Sequence, residues 1–185
     1  MSILGFLEWV DSTSWSTALH ESLFMYPLVE STHVLSLTLF VGLTVMFDLR
    51  LLGWAFRKVP MTEFTNRLLP WAQVGFVVMF ITGLLLFYAI PVRNYQNIFF
   101  RVKMIMLVLA AINIWYFHNR TERRIAEWDT TRPPRAARVA AMTSIFLWLS
   151  IVVAGRMIAY NWFDCDIQPQ SDFINWAAGC VVPVE

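Results

Sequence analysis

Histidine titrates near neutrality and, when neutral, is a ready metal ligand. This chain has three: His20, His33 and His118. Few other groups able to do chemistry stand within its apolar stretches, chiefly Glu30, Asp48, Lys103 and Arg156. Glu30 and His33 are three residues apart, so a helix places both on one face. Asp48 follows His33 by fifteen residues, a rise of about 22 Å along a helix. Lys103 and His118 are also fifteen apart. On two helices running in the same direction this spacing allows two tiers. The outer one holds Glu30, His33 and Lys103, joined by Arg156 about one turn from the end of a later helix. The inner one holds Asp48 and His118, with Asn113 between the tiers.

An ionisable group in hydrocarbon costs at least ~2.5 kcal/mol on insertion scales, so it needs a partner, water or a role. The functional reading of the outer tier is a small pocket for an anion, a metal, a quinone or a haem edge. The structural reading has Lys103 and Arg156 extending their charged heads toward the surface while the acids neutralise them. Arg101, turned about 160° from Lys103 on a helix, is expected to snorkel alone. Arg50 is expected to do so at the opposite end, with Asp48 as its local partner.

A six-coordinate b-type haem commonly takes two axial histidines at one depth. Three histidines exclude two such haems. A single haem b needs His20 to fold back toward His33, because His33 and His118 lie at different depths. Copper would use His20, His33 and Met25, imidazole and thioether being suited to Cu(I). Neither metal nor cofactor is fixed by these residues. Ser31 and Thr32 beside His33 point in other directions on a helix, so no nucleophile constellation forms and no catalytic residue is assigned. Gly42, Gly75, Gly83 and Gly155 are single glycines within apolar runs, read as helix-packing positions.

The elements that must hold these groups follow from composition. Of 185 residues 58% are hydrophobic and 15% charged, with mean hydropathy +0.56. A soluble body this small exposes roughly a third of its unfolded surface, which is too much for fifteen Phe and nine Trp. Lipid is therefore the solvent. A span needs about 20 residues, and four apolar runs fit: Val34 to Phe47 continuing through Phe56, Leu69 to Ile90, Ile98 to His118, and Arg138 to Tyr160. Their length and lack of period-two alternation make them helices rather than barrel strands. The fold expected is an all-α integral membrane protein, a four-transmembrane-helix bundle over residues 1–161 with an interfacial amino-terminal helix (Leu4 to Val10) and a tail over residues 162–185. Residues 1–26 lack Lys and Arg, unlike a cleaved signal. The net charge of +1 gives no bulk attraction to nucleic acid, and no nucleic-acid partner is expected.

Positive residues gather on one side. Arg57, Lys58 and Arg67 flank the first connection and Arg120, Arg123, Arg124, Arg132, Arg135 and Arg138 the third, whereas the opposite side has only Arg93. The positive-inside rule then puts both termini in the periplasm of a bacterial inner membrane. Cys165 and Cys180 fall on that oxidising side and are expected to pair, closing a ~15-residue loop worth about 3 kcal/mol in the chain-entropy model. The Thr- and Pro-containing stretch Trp128 to Arg135 is read as a cytoplasmic loop near lipid headgroups.

Six segments, Thr32-His33-Val34-Leu35-Ser36-Leu37, Phe47-Asp48-Leu49-Arg50-Leu51-Leu52-Gly53, Leu69-Pro70-Trp71, Thr82-Gly83-Leu84-Leu85-Leu86-Phe87, Phe100-Arg101-Val102-Lys103-Met104 and Gly155-Arg156-Met157-Ile158-Ala159-Tyr160, carry a resemblance. Over roughly residues 22–161 the chain resembles an uncharacterised family of bacterial four-helix inner-membrane proteins. It is more loosely similar to membrane domains of the copper-resistance D type. The resemblance implies location and span count and transfers no catalytic residue. The function expected is that of a non-enzymatic membrane component, either an accessory subunit of a larger complex or homo-oligomer, or a small-ligand binder through the outer tier. The alternative is an electron carrier with one b-type haem or a quinone.

Overall fold

A computed structural model of the chain describes residues 2–120, 125–129, 132–160 and 162–180. Nine helices lie among them: α1 (Ile3–Asp11), α2 (Ser14–His20), α3 (Met25–Leu52), α4 (Met61–Ala89), α5 (Pro91–Tyr95), α6 (Ile98–Arg120), α7 (Ile125–Trp128), α8 (Arg135–Ile158) and α9 (Asp172–Ala178). Four of these, α3, α4, α6 and α8, are long and apolar enough to cross a membrane, and the chain is a multi-pass membrane protein.

Three helix boundaries differ from the sequence reading by four or more residues. The first span starts at Met25 rather than Val34, because Pro27 falls in the first turn, where a missing N–H costs no intrahelical bond. That span stops at Leu52 rather than Phe56. Gly53 adopts the left-handed conformation (φ 73°), and the amides of Gly53 and Trp54 turn back onto Arg50 O and Leu49 O. The second span begins at Met61 and passes through Pro70, eight residues earlier than expected.

The four long helices pack in the order α4, α3, α8, α6, with α3 against α4, α3 against α8, and α6 against α8. Helices α4 and α6 meet through large side chains, Phe87 stacking on Phe100 with ring centroids 5.4 Å apart. The middle of the bundle is apolar. Phe40, Met79, Ala110, Leu147, Trp148 and Ile151 form one buried cluster drawn from all four helices. Phe40 stands edge-on to Trp148 at 4.8 Å. Gly75 lets α4 approach α3 closely, since a methyl group there would sit 3.2 Å from Phe40 N and 3.3 Å from Ser36 O.

One end of the bundle is capped by α1, α2, α5 and the tail. Ser16 is buried, and its hydroxyl donates to Tyr88 O and Ala89 O, which the end of α4 leaves without helical partners. Asn97 Oδ1 accepts from the amides of Phe99 and Phe100 at the start of α6. Its Nδ2 donates to Asp164 Oδ1 at 2.9 Å, and Arg93 Nε pairs with Asp164 Oδ2 at 3.3 Å. The tail is closed by the Cys165–Cys180 disulfide. Arg101 does not snorkel alone. It donates to Tyr95 O and Ala177 O, lies over the Tyr95 ring, and packs on Gly179. The guanidinium thus fastens the tail to the bundle, because its planar fork reaches several carbonyls at once.

The other end uses the same device. Arg50 is 3% exposed and donates through Nε to Val59 O and through Nη2 to Asp129 O. It is neither snorkelling nor paired with Asp48, because the sharp turn at Gly53 brings backbone carbonyls within its reach. Asp129 caps the start of α4: Oδ1 accepts from Thr62 N at 2.7 Å, and its carbonyl accepts from Met61 N. Leu51, Met61, Trp128, Ala137 and Ala141 close over this knot as a second buried cluster. Thr130 and Thr131 of the expected loop, and Arg123 and Arg124, lie outside the described residues.

The amide bond from Thr62 is the main cause holding the Asp129 carboxyl below its usual range. A depressed carboxyl stabilises the fold above its unfolded value, about pH 3.9, and that contribution is lost as pH falls through the lower folded value. Melting of detergent-solubilised protein between pH 6 and pH 3 is therefore expected to weaken on the acid side. Asp129→Asn should show a smaller acid-dependent drop than wild type.

Candidate functional site

Counting residues gives depth, and at the outer depth two of the four expected groups point into the bundle. His33 leans from α3 onto α4, where Nδ1 lies 3.0 Å from both Met79 O and Thr82 Oγ1. A carbonyl can only accept, and the Thr82 hydroxyl already donates to Val78 O at 2.7 Å. Nδ1 therefore carries the proton and, in the neutral ring, Nε2 presents a lone pair. The ring fits because position 83 is glycine: a methyl group there would stand 3.2 Å from His33 Cε1.

Lys103 reaches from α6 toward α8. A methyl group at Gly155 would lie 3.6 Å from Lys103 Nζ, so a second glycine seats the ammonium. Among the described residues the ammonium forms no ion pair or hydrogen bond. Gly83 and Gly155, read from sequence as packing positions, are thus seats for the two polar side chains. Sequence spacing contained this signal, since each glycine shares the depth of the group it seats.

Glu30 and Arg156 share this depth but are exposed on their helices. Arg156 lies over the Tyr160 ring at 5.1 Å. The structure seats His33 and Lys103 at glycines of neighbouring helices and leaves Glu30 and Arg156 exposed. Among the described residues no carboxylate compensates Lys103.

At the inner depth Asp48 is 4% exposed. The Ser144 hydroxyl of α8 bonds its carboxylate, while Oδ2 has no partner among the described residues. Asn113 Nδ2 donates to Ala140 O at 3.0 Å and ties α6 to α8. His118 is exposed near the end of α6, in contrast to the buried Asp48.

Metal and haem chemistry find no support in this arrangement. His20 lines a cavity of about 380 Å³ in the cap, with Asp11, Arg93, Asp164 and Asp166. Its ring is edge-on to Tyr26, Met25 is exposed, and His33 is turned onto α4. Among the described residues no three His, Cys, Asp or Glu side chains are arranged to hold a metal ion.

Four apolar spanning helices, with a half-buried lysine and a half-buried histidine turned into the bundle, define a multi-pass membrane protein. Residues 6–161 match the model of DUF6644, a family of unknown function, and the chain belongs to that family. The disulfide-closed tail lies past the matched region. No curated protein and no solved structure matches the chain.

The two glycine seats make a contrast that melting can read. Gly→Ala in a helix interior gains about 1 kcal/mol of propensity. Gly155→Ala meets Lys103 at an ordinary contact distance and should keep most of that gain. Gly83→Ala crowds His33, at a cost of about 1–3 kcal/mol, and should melt below Gly155→Ala.

Proposed function

We propose that this protein is a non-enzymatic component of the bacterial inner membrane, with both termini periplasmic, that binds a small ligand through His33 and Lys103. The observation carrying the reading is the pair itself. A histidine whose ring is held by α4 and an ammonium without a partner among the described residues come from two different helices, at one depth by residue count. A group of this kind within a span is by default a site rather than a support. The orientation rests on charge: Arg57, Lys58, Arg67, Arg120, Arg132, Arg135 and Arg138 crowd the end opposite the disulfide. The same pair suits an accessory subunit that lends a ligand to a larger complex.

A quinone is the second reading, favoured by the tautomer. His33 Nε2 can accept from a quinol hydroxyl while Lys103 donates to the opposite ring oxygen, and the Phe87–Phe100 pair lies about one turn away between α4 and α6. This would make the protein quinone-linked without a haem.

Titration with ubiquinone-1 in mild detergent tests the quinone reading. Wild type is expected to melt several degrees higher with the quinone, and Lys103→Met and His33→Ala to show no such shift. An unshifted wild type overturns the quinone reading. Mass spectrometry of what co-purifies tests the broader one: a small molecule retained by wild type and lost from Lys103→Met supports it, and equal retention by both removes it.

A further inference from the structure

The basic end of the bundle contains a cavity of about 310 Å³ whose walls include Met46, Lys58, Glu63, Phe64, Arg67 and Leu68. That volume is at the lower limit of small-molecule sites, roughly 300 Å³. It sits where α3 and α4 leave the apolar zone. From Leu69 to Ala89 helix α4 rises about 31 Å, which matches a hydrocarbon core. Glu63 and Arg67 therefore stand in the headgroup layer, with Met46, Phe64 and Leu68 forming an apolar wall toward the acyl chains.

The charges make a pattern rather than a simple basic patch. Two cations, Lys58 and Arg67, share the cavity with one carboxylate, Glu63. Arg67 Nη2 and Glu63 Oε1 are 2.7 Å apart, one helical turn from each other. An exposed pair of this kind is worth little to stability, but it holds both groups on the cavity wall. A phosphate is bound by ammonium and guanidinium donors. A purely anionic headgroup would meet repulsion from Glu63, whereas a primary ammonium would donate to it. A quaternary ammonium has no hydrogen to donate.

We propose that this cavity binds one phospholipid bearing a primary ammonium headgroup, of the phosphatidylethanolamine class. Its phosphate lies between Lys58 and Arg67, its ammonium at Glu63, and an acyl chain along Met46 and Leu68. The site is at the end opposite His33 and Lys103 and does not depend on their ligand.

Native mass spectrometry of the full chain, delipidated and then titrated separately with dioleoyl phosphatidylethanolamine, phosphatidylglycerol and phosphatidylcholine, tests the assignment. Wild type is expected to retain one phosphatidylethanolamine at least threefold more than either other lipid. Glu63→Gln should bring phosphatidylethanolamine down to the phosphatidylcholine level while leaving phosphatidylglycerol equal or stronger. Lys58→Gln with Arg67→Gln should lose the retained lipid. Preference for phosphatidylglycerol in wild type, or unchanged retention in the double variant, overturns the proposal. So does displacement of the lipid by equimolar glycerophosphoethanolamine, which would assign the site to a soluble headgroup rather than a bilayer lipid.

Discussion

Hydrocarbon offers no water to a polar group, so a donor, acceptor or charge along the spans is costly unless it finds a partner within the chain. That constraint sorts this molecule into two polar ends and a dry middle. Several hydroxyls of α3 and α4 turn back onto their own helices: Ser36 donates to Thr32 O, Thr38 to Val34 O, Thr44 to Phe40 O and Thr82 to Val78 O. Other polar side chains bridge to a backbone acceptor on a neighbouring helix. His33 meets Met79 O in this way, and Asn113 meets Ala140 O.

The ends are closed by arginines that bind carbonyls instead of carboxylates. Arg50 collects Val59 O and Asp129 O, and Arg101 collects Tyr95 O and Ala177 O. Each therefore joins segments far apart in sequence at a place where turns expose carbonyls that helices cannot satisfy. Gly53 and Gly179 make these knots geometrically available, both with positive φ. At Gly179 a side chain would also overlap the Arg101 guanidinium, so the residue serves the turn and the contact together.

The number of spans was legible because an apolar run longer than about 18 residues is seldom anything but a membrane-crossing helix. Their ends were less so. The stop at Gly53 depends on a left-handed cap inside a run, Leu51 to Phe56, that stays largely apolar, and α5 is five residues long. Within the site, depth was legible and direction was not. Glu30, His33, Lys103 and Arg156 share a level by residue count alone, but α3 and α6 are apolar on every face, so no hydrophobic stripe marks which side turns inward. Packing decides it. Gly83 and Gly155 give His33 and Lys103 room in the interior, and Glu30 and Arg156 have no such seat. The same lack of a marked face hid Arg101, which lies two residues from Lys103 and binds the tail.

The dry middle also limits how the two polar levels can communicate. Phe40, Met79, Ala110, Leu147, Trp148 and Ile151 pack as an apolar cluster between the levels of His33 and Asp48. What does run through the middle is α8, which seats Lys103 at Gly155 and holds Asp48 through Ser144, eleven residues or about 16 Å apart. Trp148, between those two positions, packs edge-on against Phe40. Helix α8 is thus the element that touches both levels, and a ligand at Lys103 would reach the buried Asp48 most directly along it.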